Sequence, residues 1–231
     1  MFEPFGLSVS MRRNDPNYSF IHKFGSNLAL DGTTQSIWSA GGLYPWSALS
    51  SPQNIYVIST SASDTDELEV YGLDSNFQEV TRTVSLTGTV AVLLNIQFKR
   101  IYRMIYKGNN IGTVTARVTS GTGTVVAQLD ATESQTLMAV YTVPAGKTAY
   151  MTNYTVSTGK GDDAHVSLYV RPFGNPSFQI KSEVKSYQNT FTQFFPFPLR
   201  FEACTDIDFR AYTSSANSDC ILNFDLVLKT G

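Results

Sequence analysis

The chain has 231 residues, of which 42% are hydrophobic, so it can bury the core of one large β domain or of two domains of about 100 residues each. Charged residues make up only 16%, against roughly 25% in ordinary soluble domains, and the formal net charge is −2. This composition excludes a general basic surface for nucleic acid, and no apolar run is long enough for a membrane span.

Because charged residues are few, uncharged hydroxyl and amide side chains must provide much of the polarity of the surface. A surface of this kind suits a protein that packs against other copies of itself or against a larger assembly. The first residues lack the charged segment followed by an apolar segment that marks a secretory signal.

Two cysteines, Cys204 and Cys220, are too few for a disulfide framework. We expect free, buried thiols and synthesis in a reducing compartment, with one disulfide as the alternative.

Residues 1–26 predict an extended N-terminal arm, because their aromatic side chains follow neither a helical nor a strand period. An aromatic terminus of this kind is usually tied down against a surface. The arm folds back on its own domain or packs on a neighbouring subunit. Its candidate contact residues are Phe2, Phe5, Tyr18, Phe20 and Phe24.

Residues 27–130 predict a β-sandwich domain built from short segments in which apolar and polar residues alternate. Residues 73–76 have the composition of a hairpin turn. The segments cover residues 54–60, 68–72, 79–86, 98–106, 112–118 and 124–129.

Residues 131–231 predict a second, jelly-roll-like β-sandwich domain, after a change of composition near residue 130. Its segments lie near 136–143, 148–157, 164–171, 177–184, 190–201, 205–212 and 219–228. No helical apolar period lasts beyond one turn, and β-branched residues are frequent. The predicted fold class is all-β, with two β-sandwich or jelly-roll-like domains and an N-terminal arm.

Gly146-Lys147-Thr148 resembles the end of a phosphate-binding loop, which requires an earlier glycine and a following helix. Tyr141 occupies the position of that glycine, and the residues after Thr148 have the pattern of a strand. Pro144, Ala145 and Gly146 are typical of a turn. The motif therefore predicts a turn between two strands.

Three groups of carboxylates are candidates for glycoside hydrolysis or for calcium binding. They are Asp64 with Asp66 and Glu67, Asp162 with Asp163, and Asp206 with Asp208. The first two groups fall in predicted turns, and the third lies on the polar face of a predicted strand, where solvation explains it. The two histidines, His22 and His165, have no cysteine partners at metal-ligand spacing. We expect no catalytic residue, cofactor or metal.

The stretch FFPFPL at 194–199 carries two prolines, which exclude a central strand. Phe194, Phe195 and Phe197 form an apolar patch there if the stretch lies on an edge or a loop. The patch packs into the core as a strand-end corner, or it makes a subunit contact.

Several stretches are distinctive in combination: FIHKFG at 20–25, IW at 37–38, GGLY at 41–44, ISTSASD at 58–64, VYGLD at 70–74 and YTVPAGKT at 141–148. In this order, with the closing strand ending at Leu228, they resemble virion structural proteins of tailed bacteriophages, especially phages of cyanobacteria and other aquatic bacteria. The resemblance implies a non-enzymatic virion protein of the capsid decoration or cement type.

The leading hypothesis is a capsid decoration or cement protein that forms a homo-oligomer, with a trimer expected, on the capsid surface. Its partners would be other copies of itself and the major capsid protein, with no nucleic acid and no membrane, after synthesis in the host bacterial cytoplasm. One alternative is a tail or fibre component that binds a host-surface glycan by aromatic stacking. The other is a glycoside-active enzyme on a jelly-roll scaffold.

Overall fold

The computed structural model describes residues 15–159, 161–214 and 217–231, and these residues are almost entirely β. They contain no α-helix, and a short 3-10 turn at Trp46–Leu49 is their one helical element. The predicted all-β fold class is confirmed. In chain order the strands are β1 (Tyr18–Leu30), β2 (Gln35–Ser36), β3 (Gln53–Ser59), β4 (Glu67–Leu73), β5 (Glu79–Ser85), β6 (Val92–Phe98), β7 (Arg100–Tyr106), β8 (Val114–Val118), β9 (Val125–Leu129), β10 (Val140–Thr142), β11 (Lys147–Thr158), β12 (Asp163–Arg171), β13 (Gln179–Tyr187), β14 (Thr190–Phe201), β15 (Asp206–Tyr212) and β16 (Ser218–Thr230).

The chain divides into two compact units, and the division differs from the predicted domains. Residues 1–37 and 139–231 form unit 1, and residues 38–138 form unit 2. The boundary expected near residue 130 lies inside unit 2. Unit 1 is discontinuous, because unit 2 is inserted between its first and later strands.

The predicted arm differs from the structure over residues 18–26, which belong to β1. This strand pairs antiparallel with β16 along most of its length, from Tyr18 opposite Lys229 to Asn27 opposite Cys220. The inward-facing positions of β1 include Lys23 and Gly25, so the buried face lacks the apolar alternation that marks a strand. Residues 1–14, with Phe2 and Phe5, lie outside the described residues.

Unit 1 is a jelly roll of two antiparallel sheets. One sheet has the order β1-β16-β11-β14 and the other has the order β10-β15-β12-β13. The chain crosses repeatedly from one sheet to the other, and β14, β15 and β16 each change sheet. This crossing distinguishes a jelly roll from a simple meander.

Strands β2 and β10 share one edge of the second sheet, and unit 2 is inserted between them. Ser36 pairs with Arg210, and Val140 pairs with Asp208, so both strands lie along β15. Gly25 packs against the junction: a Cβ atom at this position would come within 2.4 Å of the Ala139 nitrogen. A glycine is required there because the backbones meet at a distance that leaves no space for a side chain.

The core of unit 1 lies between its two sheets. Alternate residues of β16, such as Leu222 and Phe224, point inward and are fully buried. The ring centroids of Phe209 and Phe224 are 5.1 Å apart, and those of Tyr154 and Phe209 are also 5.1 Å apart. Burial of each such side chain contributes about 1.5–3 kcal/mol to stability.

Unit 2 consists of two antiparallel sheets, β6-β3-β8-β9 and β5-β4-β7. The predicted hairpin at residues 73–76 joins β4 to β5, where the Asp74 carboxylate accepts hydrogen bonds from the backbone amides of Asn76 at 2.8 Å and Gln78 at 2.9 Å. Its apolar core includes Ile55, Val57, Leu68, Val70, Met104 and Leu129.

Candidate assembly surface

The candidate surface lies on one side of unit 1 and is formed by one edge strand from each of the two sheets. Strand β14 is the last strand of one sheet, and β13 is the last strand of the other. The chain passes directly from the end of β13 at Tyr187 to the start of β14 at Thr190. We call this side the β13–β14 edge. Edge strands present backbone N–H and C=O groups that a neighbouring molecule can contact.

The middle of β14 bulges out of its sheet. Met151 of β11 lies opposite Leu199, whereas Asn153 lies opposite Phe194. Between these pairs β11 has one residue, Thr152, and β14 has residues 195–198, so extra chain must loop outward. Two of these residues are prolines, which have no N–H to donate. The prediction that the prolines exclude a central strand is confirmed, since β14 is an edge strand.

The three phenylalanines at and next to this bulge have different environments. Phe197 is 90% exposed and Phe194 is 67% exposed. Phe195 is half-buried, and its ring centroid lies 5.9 Å from that of Tyr154 in the core. Phe195 therefore packs inward, as the first interpretation predicts, whereas Phe194 and Phe197 are exposed, and the subunit contact of the second interpretation stays a prediction.

The structure separates this patch from the other predicted contact residues. Tyr18, Phe20 and Phe24 lie on β1, at the opposite edge of the same sheet. Phe20 is exposed, and Tyr18 and Phe24 are half-buried. Three strand spacings of about 4.8 Å separate β1 from β14. The predicted residues therefore form two groups on one sheet.

Between these two groups, the outer face of the sheet carries polar side chains. His22 Nδ1 lies 2.6 Å from Asp225 Oδ1, and Asn153 donates a hydrogen bond of 3.0 Å to Asp225 Oδ2. The hydroxyl groups of Thr155 and Thr192, 3.0 Å apart, form a cross-strand pair. Amide and hydroxyl groups thus provide much of the polarity of this face, as the composition indicated.

Sequence reasoning missed several exposed apolar residues of the β13–β14 edge. Ile180 and Tyr187 on β13 and Phe191 on β14 are all exposed. One signal was available: residues 179–187 contain two aliphatic side chains among polar ones, which is typical of an edge strand with little to bury.

An apolar cleft opens at one end of the β13–β14 edge. It has a volume of about 330 Å³, and its apolar walls are formed by Val170, Pro172, Leu199 and Phe201. Lys181, Arg200 and Glu202 contribute the charged groups. Arg200 Nε and Glu202 Oε1 are 2.9 Å apart, so the opposite charges lie side by side.

The Asp64 carboxylate is a buried hydrogen-bond acceptor in unit 2. It accepts hydrogen bonds from the Ser59 hydroxyl at 2.5 Å and from the backbone amides of Ile111 at 2.7 Å and Gly112 at 2.9 Å. Burial by itself raises the pKa of Asp64, but the three hydrogen bonds outweigh it, and the pKa is lowered from its usual value.

Asp163 has a similar role in unit 1. Its carboxylate accepts hydrogen bonds from the Thr213 hydroxyl and the Ser214 hydroxyl, each at 3.0 Å, and from the Ser214 backbone amide at 3.3 Å. The carboxylate therefore fixes the chain that follows β15.

The interpretation of Asp206 and Asp208 as solvated residues is wrong, because both are buried. Arg171 Nη2 lies 2.7 Å from Asp206, and Arg210 Nε lies 2.8 Å from Asp208. Aromatic rings cover the two guanidinium groups: the Phe178 ring centroid lies 4.6 Å from each, and the Tyr169 centroid lies 4.4 Å from that of Arg210. Ion pairing with these arginines compensates the buried charges.

Residues 144–147 form a turn before β11, which confirms the turn interpretation of Gly146-Lys147-Thr148. Gly146 has φ +74°, a left-handed conformation, and the Lys147 backbone amide donates a hydrogen bond of 3.2 Å to the Pro144 carbonyl. The residues after Gly146 form strand β11. A helix N-terminus for binding phosphate is therefore missing from residues 147–158.

The remaining titratable candidates are dispersed. The imidazole of His165 stacks on the Tyr212 ring, with centroids 4.7 Å apart, on the outer face of the second sheet. Cys204 and Cys220 are not joined by a disulfide, and burial raises the pKa of the Cys220 thiol to about 12. Cys220 is buried as expected, whereas Cys204 is half-buried.

Within residues 15–159, 161–214 and 217–231, no three His, Cys, Asp or Glu side chains come together as metal ligands. No helix in the same part of the chain is long and apolar enough to cross a membrane.

No protein-family model and no curated protein matches this sequence. Among solved structures, the chain is similar to a chain in the structure of the infectious bursal disease virus Gx strain. The identity is 8% over 93% of this chain and 76% of that chain, and the TM-score is 0.22. For a mutant VP2 protein of infectious bursal disease virus in T=1 particles, the identity is 10% over 99% and 79%, and the TM-score is 0.19. For the vicilin of Solanum melongena, the identity is 8% over 94% and 76%, and the TM-score is 0.14. Scores this low carry no functional conclusion for this chain.

Proposed function

We propose that this chain is a structural protein of a tailed-phage virion that decorates or cements the capsid as a homo-oligomer. The observation that carries the proposal is the β13–β14 edge, where Phe194 is 67% exposed and Phe197 is 90% exposed. Clustered exposed aromatic residues usually mark a contact surface. The motif resemblance to virion proteins from residue 20 onward supplies the biological setting.

The charge and fold agree with this role without requiring it. Jelly rolls occur in viral capsid proteins, lectins and cupins, so the fold alone does not choose a function. A low-charge outer face of hydroxyl and amide groups can lie against a capsid without the desolvation of many ions. The same proposal includes the places where the protein acts and is made: it acts on the capsid surface, and it is synthesised in the host cytoplasm.

We also propose that the role is not enzymatic. The main support is that carboxylates from each candidate group for glycoside hydrolysis have structural partners. Asp64 and Asp163 accept backbone and hydroxyl hydrogen bonds, and Asp206 pairs with Arg171. An acid and a base of a hydrolase would need to face a substrate groove. Turnover of a polysaccharide that is lost in an Asp163→Asn variant with an unchanged fold would contradict the proposal.

Co-sedimentation of the purified chain with phage heads that lack it tests the capsid role. We expect saturable binding and heads that withstand higher temperature. A Phe194→Ala/Phe197→Ala variant should bind at least about tenfold more weakly, since burial of one phenylalanine contributes about 1.5–3 kcal/mol. Ile111→Ala, which removes an exposed apolar side chain from unit 2, serves as the control. Absence of the chain from heads and virions would contradict the capsid role.

The N-terminal contribution needs a shorter deletion than residues 1–26. Removal of residues 18–26 would delete most of β1 and with it the pairing to β16. A chain that begins at residue 15 keeps this strand. We expect it to fold and to attach less well to heads, because Phe2 and Phe5 are lost; unchanged attachment would contradict a role of these residues.

A tail or fibre role with a host-surface glycan is the second proposal, and a specific patch favours it. Tyr212 and Tyr187 are exposed on the outer face of the second sheet, with His165 stacked on Tyr212. Lys185 Nζ lies 4.6 Å from the Tyr187 ring centroid. Aromatic faces beside a cation suit an acidic sugar. Binding on a glycan array that is lost in Tyr212→Ala would support this role over the capsid role.

A further inference from the structure

The cleft and Phe197 are complementary features of the same edge. The cleft holds about 330 Å³, at the small end of the range for ligand sites, and its walls are Val170, Pro172, Leu199 and Phe201. This space suits one aromatic side chain. Phe197 lies two residues before the cleft wall at Leu199, and its exposure of 90% means that it does not fill the cleft of its own chain.

The backbone holds Phe197 ready for contact. Pro196 and Pro198 flank it, and each proline fixes its own φ. The residue before a proline is restricted as well, which limits Phe197 itself. A side chain on a restricted backbone loses little conformational entropy when it binds, so more of the burial energy appears as affinity.

We propose that Phe197 of one copy inserts into the cleft of a second copy, and that the second copy does the same in return, so that two copies pair about a two-fold axis. A protruding residue and a cavity on one patch make that patch self-complementary, which is the requirement for a two-fold contact. This inference rests on the proposed assembly role and names the partner of its surface.

The charges beside the cleft favour a second copy as the occupant. Arg200 and Glu202 carry opposite charges next to each other and are 60% and 67% exposed. A two-fold axis at this position brings Arg200 of each copy towards Glu202 of the other. An unrelated apolar partner would remove water from this ion pair without offering opposite charges of its own.

The exposed apolar area of the edge is close to what a stable pair needs. Phe191, Phe194, Phe197 and Ile180 are exposed along the edge, and each aromatic side chain can bury about 150–250 Å². Contributions from both copies, together with the cleft walls, approach the roughly 1,000 Å² expected of a specific interface. Backbone pairing between two β14 strands is interrupted by the prolines, so side chains carry the contact.

Sedimentation of the full chain across a range of concentrations tests the pairing. We expect an even number of copies for the wild-type chain. Phe197→Ala should raise the dissociation constant of the pair by about a hundredfold or more, because each contact loses two buried phenylalanines. Ile111→Ala, which truncates an exposed apolar side chain on unit 2, should leave the mass unchanged. A monomeric or trimeric wild-type chain, or an unaltered Phe197→Ala variant, would overturn the pairing.

Cross-linking locates the contact independently. Replacement of Phe197 by the photoreactive analogue p-azidophenylalanine, which keeps the aromatic ring, in a mixture of isotopically light and heavy chains, should label residues 199–202 or Lys181 of the other copy. Labels confined to one isotopic form, or to unit 2, would overturn the proposal. Binding to heads is measured separately: a chain that pairs through Phe197 and never binds heads contradicts the proposed function alone, and a chain that binds heads without pairing contradicts this inference alone.

Discussion

At the scale of single residues, buried carboxylates organise both units. Asp64 shows the electrostatic consequence most clearly, because its pKa is lowered in the folded chain. A group with a depressed folded pKa stabilises the fold while it is ionised. Its contribution is present above the unfolded pKa, about 4, and is lost as the pH falls through the folded value.

Asp64→Asn should destabilise unit 2 by about 2–3 kcal/mol at pH 7, because an amide NH₂ would replace one acceptor that faces hydrogen-bond donors. Urea denaturation measures this loss. The variant should also lose less stability than the wild-type chain as the pH is lowered from 5 to 3. Glu133→Gln, a neutralisation at an exposed position, is the control. Parallel pH profiles for Asp64→Asn and the wild-type chain would refute the role given to this carboxylate.

The turn at Gly146 allows a test of backbone strain without steric clash. Gly146 has φ +74°, and a Cβ at this position would meet no atom within 4 Å. Gly146→Val should therefore cost roughly 1–2 kcal/mol from the left-handed conformation alone. Gly146→Asn should cost less, since asparagine tolerates this region. Lys147→Ala should change the free energy of unfolding by no more than about 0.5 kcal/mol. Equal thermal melting temperatures for the Gly146 variants would contradict this.

The residue scale also shows where sequence reasoning is limited. The turn at Gly146 could be predicted because proline and glycine act on their own backbone. The burial of Asp206 and Asp208 could not, because it depends on Arg171 and Arg210 on two different strands and on the Phe178 ring. A strand face that carries charges looks solvated until its cross-strand partners are known.

At the scale of elements, β14 combines exposed apolar side chains with a backbone in which two prolines lack the N–H donors needed for strand pairing. Exposed edge strands invite strand addition and aggregation, and prolines are one natural protection. A Pro196→Val/Pro198→Val variant restores two N–H donors. We expect it to form larger β-rich aggregates, detected by light scattering and thioflavin fluorescence. Pro176→Val, in the loop between β12 and β13, should stay soluble; solubility of both variants would exclude a protective role for the β14 prolines.

Most strands were predictable from alternation, and the exceptions have a common cause. Strand β14 was predicted with its observed ends, and β11 within one residue at each end. Strand β1 was missed because Lys23 and Gly25 occupy inward-facing positions. Strand β6 was missed because apolar and polar residues do not alternate in its sequence, VLLNIQF, and because Asn95 has φ 57°. Local pattern predicts a strand only where burial follows the period of two.

At the scale of the whole molecule, the fold class could be predicted from the local sequence pattern, whereas the division into two units could not. The composition change near residue 130 lies close to the second junction, at residues 138 and 139. The first junction, at residues 37 and 38, carries no signal of its own. It exists because β1 and β2 pair with strands at the far end of the chain, and long-range pairing leaves no local mark.

The insertion of unit 2 has a consequence for how the chain is made. His22 and Asp225, which face each other across β1 and β16, lie 203 positions apart. During synthesis the first strand therefore emerges long before its partner exists, whereas every strand of unit 2 finds its neighbours within residues 38–138. Contacts between distant positions form late because closing the intervening chain is entropically unfavourable.

Ribosome-bound chains arrested at residue 180 should thus resist protease over residues 38–138 while β1 is cut, and β1 should become protected only in the released chain. Protection of β1 in the arrested chain would contradict this order. Until its last strand arrives, the chain keeps the apolar faces of unit 1 uncovered, and the newly made protein depends on its final thirteen-residue strand to hide them.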